Sequence, residues 1–210
     1  MKYFNPEIII YDFDGVIVDS EKAVFKFYDI ICEKFNLRKI NRSNKQLVNK
    51  ILMLTTEDAL KIICKDDSDL LISIKQFISS RKFTELSEHI SLQPNIDVIL
   101  NILKNKNIHT AIFTNRGDSL YYLLKHFNIS MYFDCLVTCN DVETPKPSPE
   151  GLLKILKYFN KTHKQALYIG DSIVDKTAAE RIKIPFLFYK YNDYKNNGLE
   201  DHLDLINYIE

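Results

Sequence analysis

No excess of either charge marks this chain: 28 Lys and Arg stand against 28 Asp and Glu, so its overall field draws it to neither nucleic acid nor an anionic membrane. No apolar run approaches the length that spans a bilayer, and the stretch from Met1 to Pro6 holds no signal-peptide core. The expectation is a soluble, cytoplasmic protein with no nucleic-acid or membrane partner. Cys32, Cys64, Cys135 and Cys139 form no CxxC or zinc-like spacing, and a 210-residue chain can build a core without disulfides; reduced, mostly buried thiols are expected. His89, His109, His126, His163 and His202 likewise show no ligand spacing and receive no role. Glycine is scarce, and four of the five, Gly15, Gly117, Gly151 and Gly170, fall in or beside polar segments that follow apolar runs. With 46% hydrophobic and 12% aromatic residues, disorder is excluded and an ordered globular fold is expected.

The chain is organised around residues 8–16. Ile8, Ile9, Ile10 and Tyr11 predict a short strand buried on both faces, as in the middle of a parallel sheet. Asp12 and Asp14 follow two apart, on one face of an extended chain, and Gly15 lets the backbone turn away. In open α/β sheets, ligands gather at this carboxyl edge. Helical periodicity then takes over: helices are predicted over 20–35, 45–54, 56–65 and 69–87, the third announced by the Thr55 to Asp58 capping signal. About seventy residues without a strand are too many for an ordinary crossover, so residues 19–87 read as an inserted helical cap domain within a core of 1–18 and 88–210.

Inside that insert, Lys34, Arg38, Lys39, Arg42, Lys45 and Lys50 occur with no acidic residue among them. Either some of them, Arg38, Arg42 and Lys45 foremost, hold the anionic part of a substrate, or they form a solvated face balanced by Glu57, Asp58, Asp66, Asp67 and Asp69. From Pro94 onward strands and helices alternate: a helix to about Asn107, a strand over 108–113, a helix over 118–127 and a strand over 135–138. Ser148 as cap and Pro149 as first helical residue then predict a helix to Phe159, followed by strands over 166–169 and 185–189, a polar loop, and a helix over 199–209. The fold class is α/β, a doubly wound parallel sheet with an inserted α-helical cap domain.

The polar groups delivered at the strand ends have complementary chemistry. A carboxylate can attack phosphorus to form an acyl-phosphate, and Asp12 is the candidate nucleophile. Asp12, the backbone carbonyl of Asp14 and Asp171 can hold Mg2+, which prefers hard oxygen ligands. Thr114 with nearby amides can bind phosphoryl oxygens, Lys146 can neutralise charge, and Asp14 can serve as general acid and then base. Arg116 either reaches substrate or lies on the surface, and the surface is favoured.

These motifs closely resemble the haloacid dehalogenase superfamily of phosphohydrolases: Asp12-Phe13-Asp14-Gly15-Val16, then Thr114-Asn115, then Lys146 in Lys-Pro-Ser-Pro-Glu, then Gly170-Asp171 through Asp175, in the family's order. The position of the helical insert is similar to that of the phosphoglycolate phosphatase and β-phosphoglucomutase branch. The resemblance implies a Rossmann-like core with the Asp12 strand flanked by those ending at Thr114 and Asp171, phosphate contacts by Thr114, Asn115 and Lys146, and Asp175 supporting the site from behind the metal ligands. It implies a magnesium-dependent phosphatase of a small phosphorylated metabolite, monomeric or homodimeric. A sugar-phosphate mutase and a silent phospho-ligand-binding protein are the alternatives. Asn95 and Lys183 stand where the family often has glycine or an Ala-Gly pair, and the insert lacks the glycine-containing loop often seen near 52–55.

Overall fold

The computed structural model describes residues 5–81, 83–190 and 198–209. The chain divides into two compact units, Met1–Asp19 with Leu92–Glu210, and Ser20–Ser91. In chain order, β1 (Ile8–Tyr11) and the short β2 (Val18–Asp19) lead into the second unit, which is built from α1 (Glu21–Lys34), α2 (Lys45–Met53), α3 (Thr56–Cys64) and α4 (Ser68–Ser79). After β3 (Ser91–Leu92) the first unit resumes with α5 (Ile96–Asn105), β4 (His109–Phe113), α6 (Ser119–His126), β5 (Cys135–Val137) and α7 (Glu150–Tyr158). It closes with β6 (Ala166–Gly170), α8 (Ile173–Arg181), β7 (Phe186–Tyr189) and β8 (Gly198–Leu199).

Six of these strands form one parallel sheet in the order β5-β4-β1-β6-β7-β8. Ile8, Ile9, Ile10 and Tyr11 are fully buried because β1 lies in the middle and helices cover both faces. Tyr11 stands level with Ile112 of β4 and Ile169 of β6, so the residues just beyond these three strands emerge side by side at one edge. The chain winds outward in opposite directions on either side of β1, which makes that edge a topological switch point. Beneath it, Ile8, Ile10, Phe113 and Tyr168 pack with Leu152 and Ile155 of α7 and Ala178 and Ala179 of α8. In the second unit, Phe25, Tyr28, Ile31, Ile51, Leu60 and Ile74 form a separate core.

Several local expectations shift. The predicted 69–87 helix ends at Ser79, where the hydroxyls of Ser79 and Ser80 turn back to the carbonyls of Lys75 and Phe77; a 3-10 helix, Thr84–His89, follows. Pro149 is itself the cap of α7, although Ser148 Oγ still accepts from the Glu150 amide at 3.3 Å. The predicted helix over 199–209 is instead β8 followed by a 3-10 helix, His202–Asn207, because Leu199 pairs beside Tyr189 and the Asp201 capping box delays the helix start. Most of the predicted polar loop lies outside the described residues. Cys32 and Cys64 are buried, but Cys135 and Cys139 are only half-buried; all four are free thiols. Asn95 and Lys183 adopt φ of 61° and 59°, the left-handed conformation that glycine adopts most readily. Among the described residues no helix is long and apolar enough to cross a membrane.

Candidate active site

The first catalytic candidate is fixed by the sheet itself. The Asp12 amide continues the ladder by donating to the Ile169 carbonyl at 2.8 Å, and Asp12 Oδ1 accepts from the Phe13 amide at 2.7 Å. Gly15 then turns the chain at φ 83°, and a Cβ there would overlap the Asp171 carboxylate, so the turn requires glycine on both counts.

Lys146, whose side chain is 4% exposed, reaches under this turn. Its Nζ lies 2.8 Å from Asp12 Oδ1, 2.6 Å from Asp175 Oδ1, and 3.2 Å from both the Phe113 carbonyl and the Tyr168 hydroxyl. The Tyr168 hydroxyl donates in turn to Asp175 Oδ1 at 2.5 Å. The Ser172 hydroxyl donates to Asp175 Oδ2, while the Asp175 amide donates to Ser172 Oγ at 3.2 Å and so caps α8. Asp175 is thereby held on both oxygens, and the ammonium on all its donors.

Asp12, Asp171 and Asp175 bring carboxylate oxygens within 4.8 Å of one another. One ammonium against two buried carboxylates and the half-buried Asp171 leaves excess negative charge. Burial pushes the Asp12 carboxyl up to about 7, with Lys146 opposing and Asp175 reinforcing the shift. Burial, then the charges of Asp12 and Asp175, raise Asp171 well above the ordinary carboxylate range. Burial also works against the Lys146 ammonium, yet Asp12 and Asp175 hold its pKa above that of an ordinary lysine. An under-neutralised set of hard oxygens, two of its carboxylates buried, fits a divalent cation such as magnesium.

Thr114, buried at the end of β4, donates its amide to the Val137 carbonyl at 3.0 Å, and its Oγ1 accepts from the Arg116 amide at 3.1 Å. Asn115 clamps the Lys146 main chain, its Oδ1 accepting from the amide at 2.9 Å and its Nδ2 donating to the carbonyl at 3.3 Å. Asp14 lies outside the acidic cluster and faces Arg116: Nε donates to Oδ2 at 2.8 Å and a terminal nitrogen to Oδ1 at 2.5 Å. The expectation of a surface position for Arg116 is thus corrected. Its side chain is 15% exposed because the charge is matched by Asp14 and its flat group lies 5.7 Å from the centre of the Phe13 ring.

The structure therefore brings together Asp12, Lys146, Asp171 and Asp175, joins Asp14 to Arg116, and ties Asn115 to Lys146. Arg38, Arg42 and Lys45 belong to the second unit, where all three are exposed. There Arg42 pairs with Asp29 and lies 5.3 Å from the Phe25 ring centre. Two further residues carry weight that the sequence reading missed. Tyr168 is the polar exception in an otherwise apolar strand, and that exception was the available signal. His202, fully buried, donates Nε2–H to the Val16 carbonyl at 2.8 Å and stacks on Tyr189 with ring centres 4.3 Å apart, so the loop after Asp14 is braced from the far end of the chain. The unprotonated Nδ1 has no hydrogen-bond partner among the described residues. Burial lowers the imidazole pKa to about 4.

The family model for haloacid dehalogenase-like hydrolases matches residues 9–189. A phosphoglycolate phosphatase of Nitrosococcus oceani is 26% identical, covering 90% of this chain and 86% of its own. A phosphorylated carbohydrates phosphatase of Thermotoga maritima is 25% identical, over 90% of this chain and 88% of its own. Among solved structures, a HAD-superfamily hydrolase of subfamily IA from Geobacter sulfurreducens PCA superposes with a TM-score of 0.81 at 29% identity, over 96% of this chain and 98% of that one.

Proposed function

The chain belongs to the haloacid dehalogenase-like hydrolases, and from that premise we propose that it is a magnesium-dependent phosphatase that hydrolyses a small phosphorylated metabolite through an aspartyl-phosphate. The observation that carries this reading is the Lys146 ammonium set 2.8 Å from Asp12 within a cluster of carboxylates at the switch point of the sheet. Relatives named for phosphoglycolate and phosphorylated carbohydrates support the substrate class.

Asp12 attacks the phosphorus, forming the acyl-phosphate as the bond to the leaving oxygen breaks, and Asp14 gives its proton to that oxygen. Asp14, now a carboxylate, takes a proton from water as the water oxygen attacks phosphorus; the bond to Asp12 breaks, and inorganic phosphate leaves with both residues restored. Lys146 offsets negative charge on Asp12 and the phosphoryl group, Thr114 and adjacent amides hold phosphoryl oxygens, and Asp175 keeps the ammonium in place. Asp12, Asp171 and the Asp14 carbonyl would hold magnesium, which neutralises phosphoryl oxygens when bound. The helical unit acts as the cap that sets specificity, with Arg38, Arg42 and Lys45 assigned to the anionic remainder of the substrate.

The test is inorganic phosphate release across a panel of phosphorylated metabolites, with and without magnesium, with Asp12→Asn as the blank. Release that needs both magnesium and Asp12 is expected. Turnover by Asp12→Asn protein would remove the nucleophile assignment, and magnesium-independent release would remove the metal.

A further inference from the structure

The mechanism above asks Asp14 to address the leaving oxygen from a fixed direction, which an aspartate side chain with two rotatable bonds does not have by itself. Its carboxylate is 27% exposed and follows a strand end, next to a glycine turn. The direction comes from the second strand end. We propose that Arg116 is a positioning residue for Asp14, holding the carboxylate in the orientation from which it delivers and recovers the proton. This inference rests on the reading of Asp14 as acid and base.

Three observations support it. The contact is a two-pronged fork, one nitrogen to each carboxylate oxygen at 2.8 and 2.5 Å, which fixes the rotation of the carboxylate plane as a single point contact would not. Each oxygen has two lone pairs, so one hydrogen bond from the fork to each does not exhaust the carboxylate's capacity. Secondly, the guanidinium is itself anchored: a terminal nitrogen donates to Ser119 Oγ at 3.0 Å at the start of α6, and the plane lies 5.7 Å from the Phe13 ring centre. Thirdly, the Arg116 amide donates to Thr114 Oγ1 at 3.1 Å, so the side chain that aims Asp14 grows from the backbone that places Thr114. One rigid piece thereby registers the proton donor against the phosphoryl-binding end of β4.

A residue acting through Asp14 affects leaving groups unequally, whereas one that binds phosphate or supports the fold affects them alike. The experiment compares phenyl phosphate with 4-nitrophenyl phosphate, which are close in shape but differ in how much the departing oxygen needs a proton. Arg116→Lys keeps the charge and loses the fork. Its kcat/KM for phenyl phosphate, which covers the steps up to departure of the leaving group and not the shared hydrolysis of the aspartyl-phosphate, should fall roughly 10- to 100-fold, as expected for a misplaced catalytic group, against about 3-fold or less for the nitrophenyl ester. Ser119→Ala, which loosens the anchor without touching Asp14, should fall between wild type and Arg116→Lys. In an Asp14→Asn background, Arg116→Lys should cost nothing further on phenyl phosphate.

Equal losses on the two esters, no loss on either, or an additive loss in the double variant would overturn the inference. The parent reading fails separately: Asp14→Asn protein that treats both esters alike removes the acid, whereas discrimination by Asp14→Asn without discrimination by Arg116→Lys removes only the role of Arg116.

Discussion

Acid should weaken this fold through one imidazole, His202. In the folded chain its pKa is lowered to about 4 by burial, against an ordinary value of 6.5, and its Nε2–H is committed to the Val16 carbonyl. A base with a lowered folded pKa binds fewer protons folded than unfolded between those two values. Its share of stability is therefore intact above about pH 6.5 and drains away as pH falls toward 4. The full difference of about 2.5 pH units corresponds to roughly 3 kcal/mol, of which about 2 kcal/mol should be lost between pH 7 and pH 5. The assay is urea unfolding at a series of pH values for wild type and His202→Gln, whose amide can still donate to Val16 but does not titrate. Carboxylates elsewhere titrate in both proteins, so the informative quantity is the difference between the two curves. That difference should shrink by about 2 kcal/mol on going from pH 7 to pH 5. Parallel curves over that range would show that His202 does not titrate as its burial requires.

Two other substitutions probe the ends of the argument. Tyr168→Phe keeps the buried ring but removes the hydroxyl that links Asp175 and Lys146; stability measured by urea unfolding should drop by about 2 kcal/mol and kcat by about 10-fold, and unchanged values of both would mean that the phenol is a bystander. Neutralising Arg38, Arg42 and Lys45 together should raise KM for the best metabolite more than for 4-nitrophenyl phosphate, whereas equal changes would return these residues to a solvated surface.

What the sequence makes legible is local. Ile8-Ile9-Ile10 announces a central parallel strand because burial on both faces leaves no polar alternation, and each polar motif follows its own apolar run. Contacts between motifs are not legible in this way. Arg116 and Asp14 are 102 residues apart, and nothing around Arg116 distinguishes an arginine aimed inward from one in solvent. His202 and Val16 are 186 apart, and a lone histidine in a polar segment carries no period or spacing. β8 escapes for a different reason: at two residues it is too short to have a pattern, and its existence depends on the backbone of Tyr189. The early end of α4 was legible in principle, since Ser79-Ser80 offers hydroxyls that compete for helix carbonyls.

The placement of β1 also has a consequence for biosynthesis. This strand leaves the ribosome well ahead of its partners, since one hydrogen-bonding neighbour begins at His109 and the other at Ala166. Until both are made, four large apolar residues and the two aspartates beyond them wait without the edges that will order them, and the brace from His202 arrives later still. Such a nascent chain exposes a sticky segment for longer than a meander of neighbouring strands would, which makes it a natural client for chaperones that bind short hydrophobic stretches. It also means that Asp12, Lys146 and Asp171 cannot be brought together until the chain has been made past residue 171.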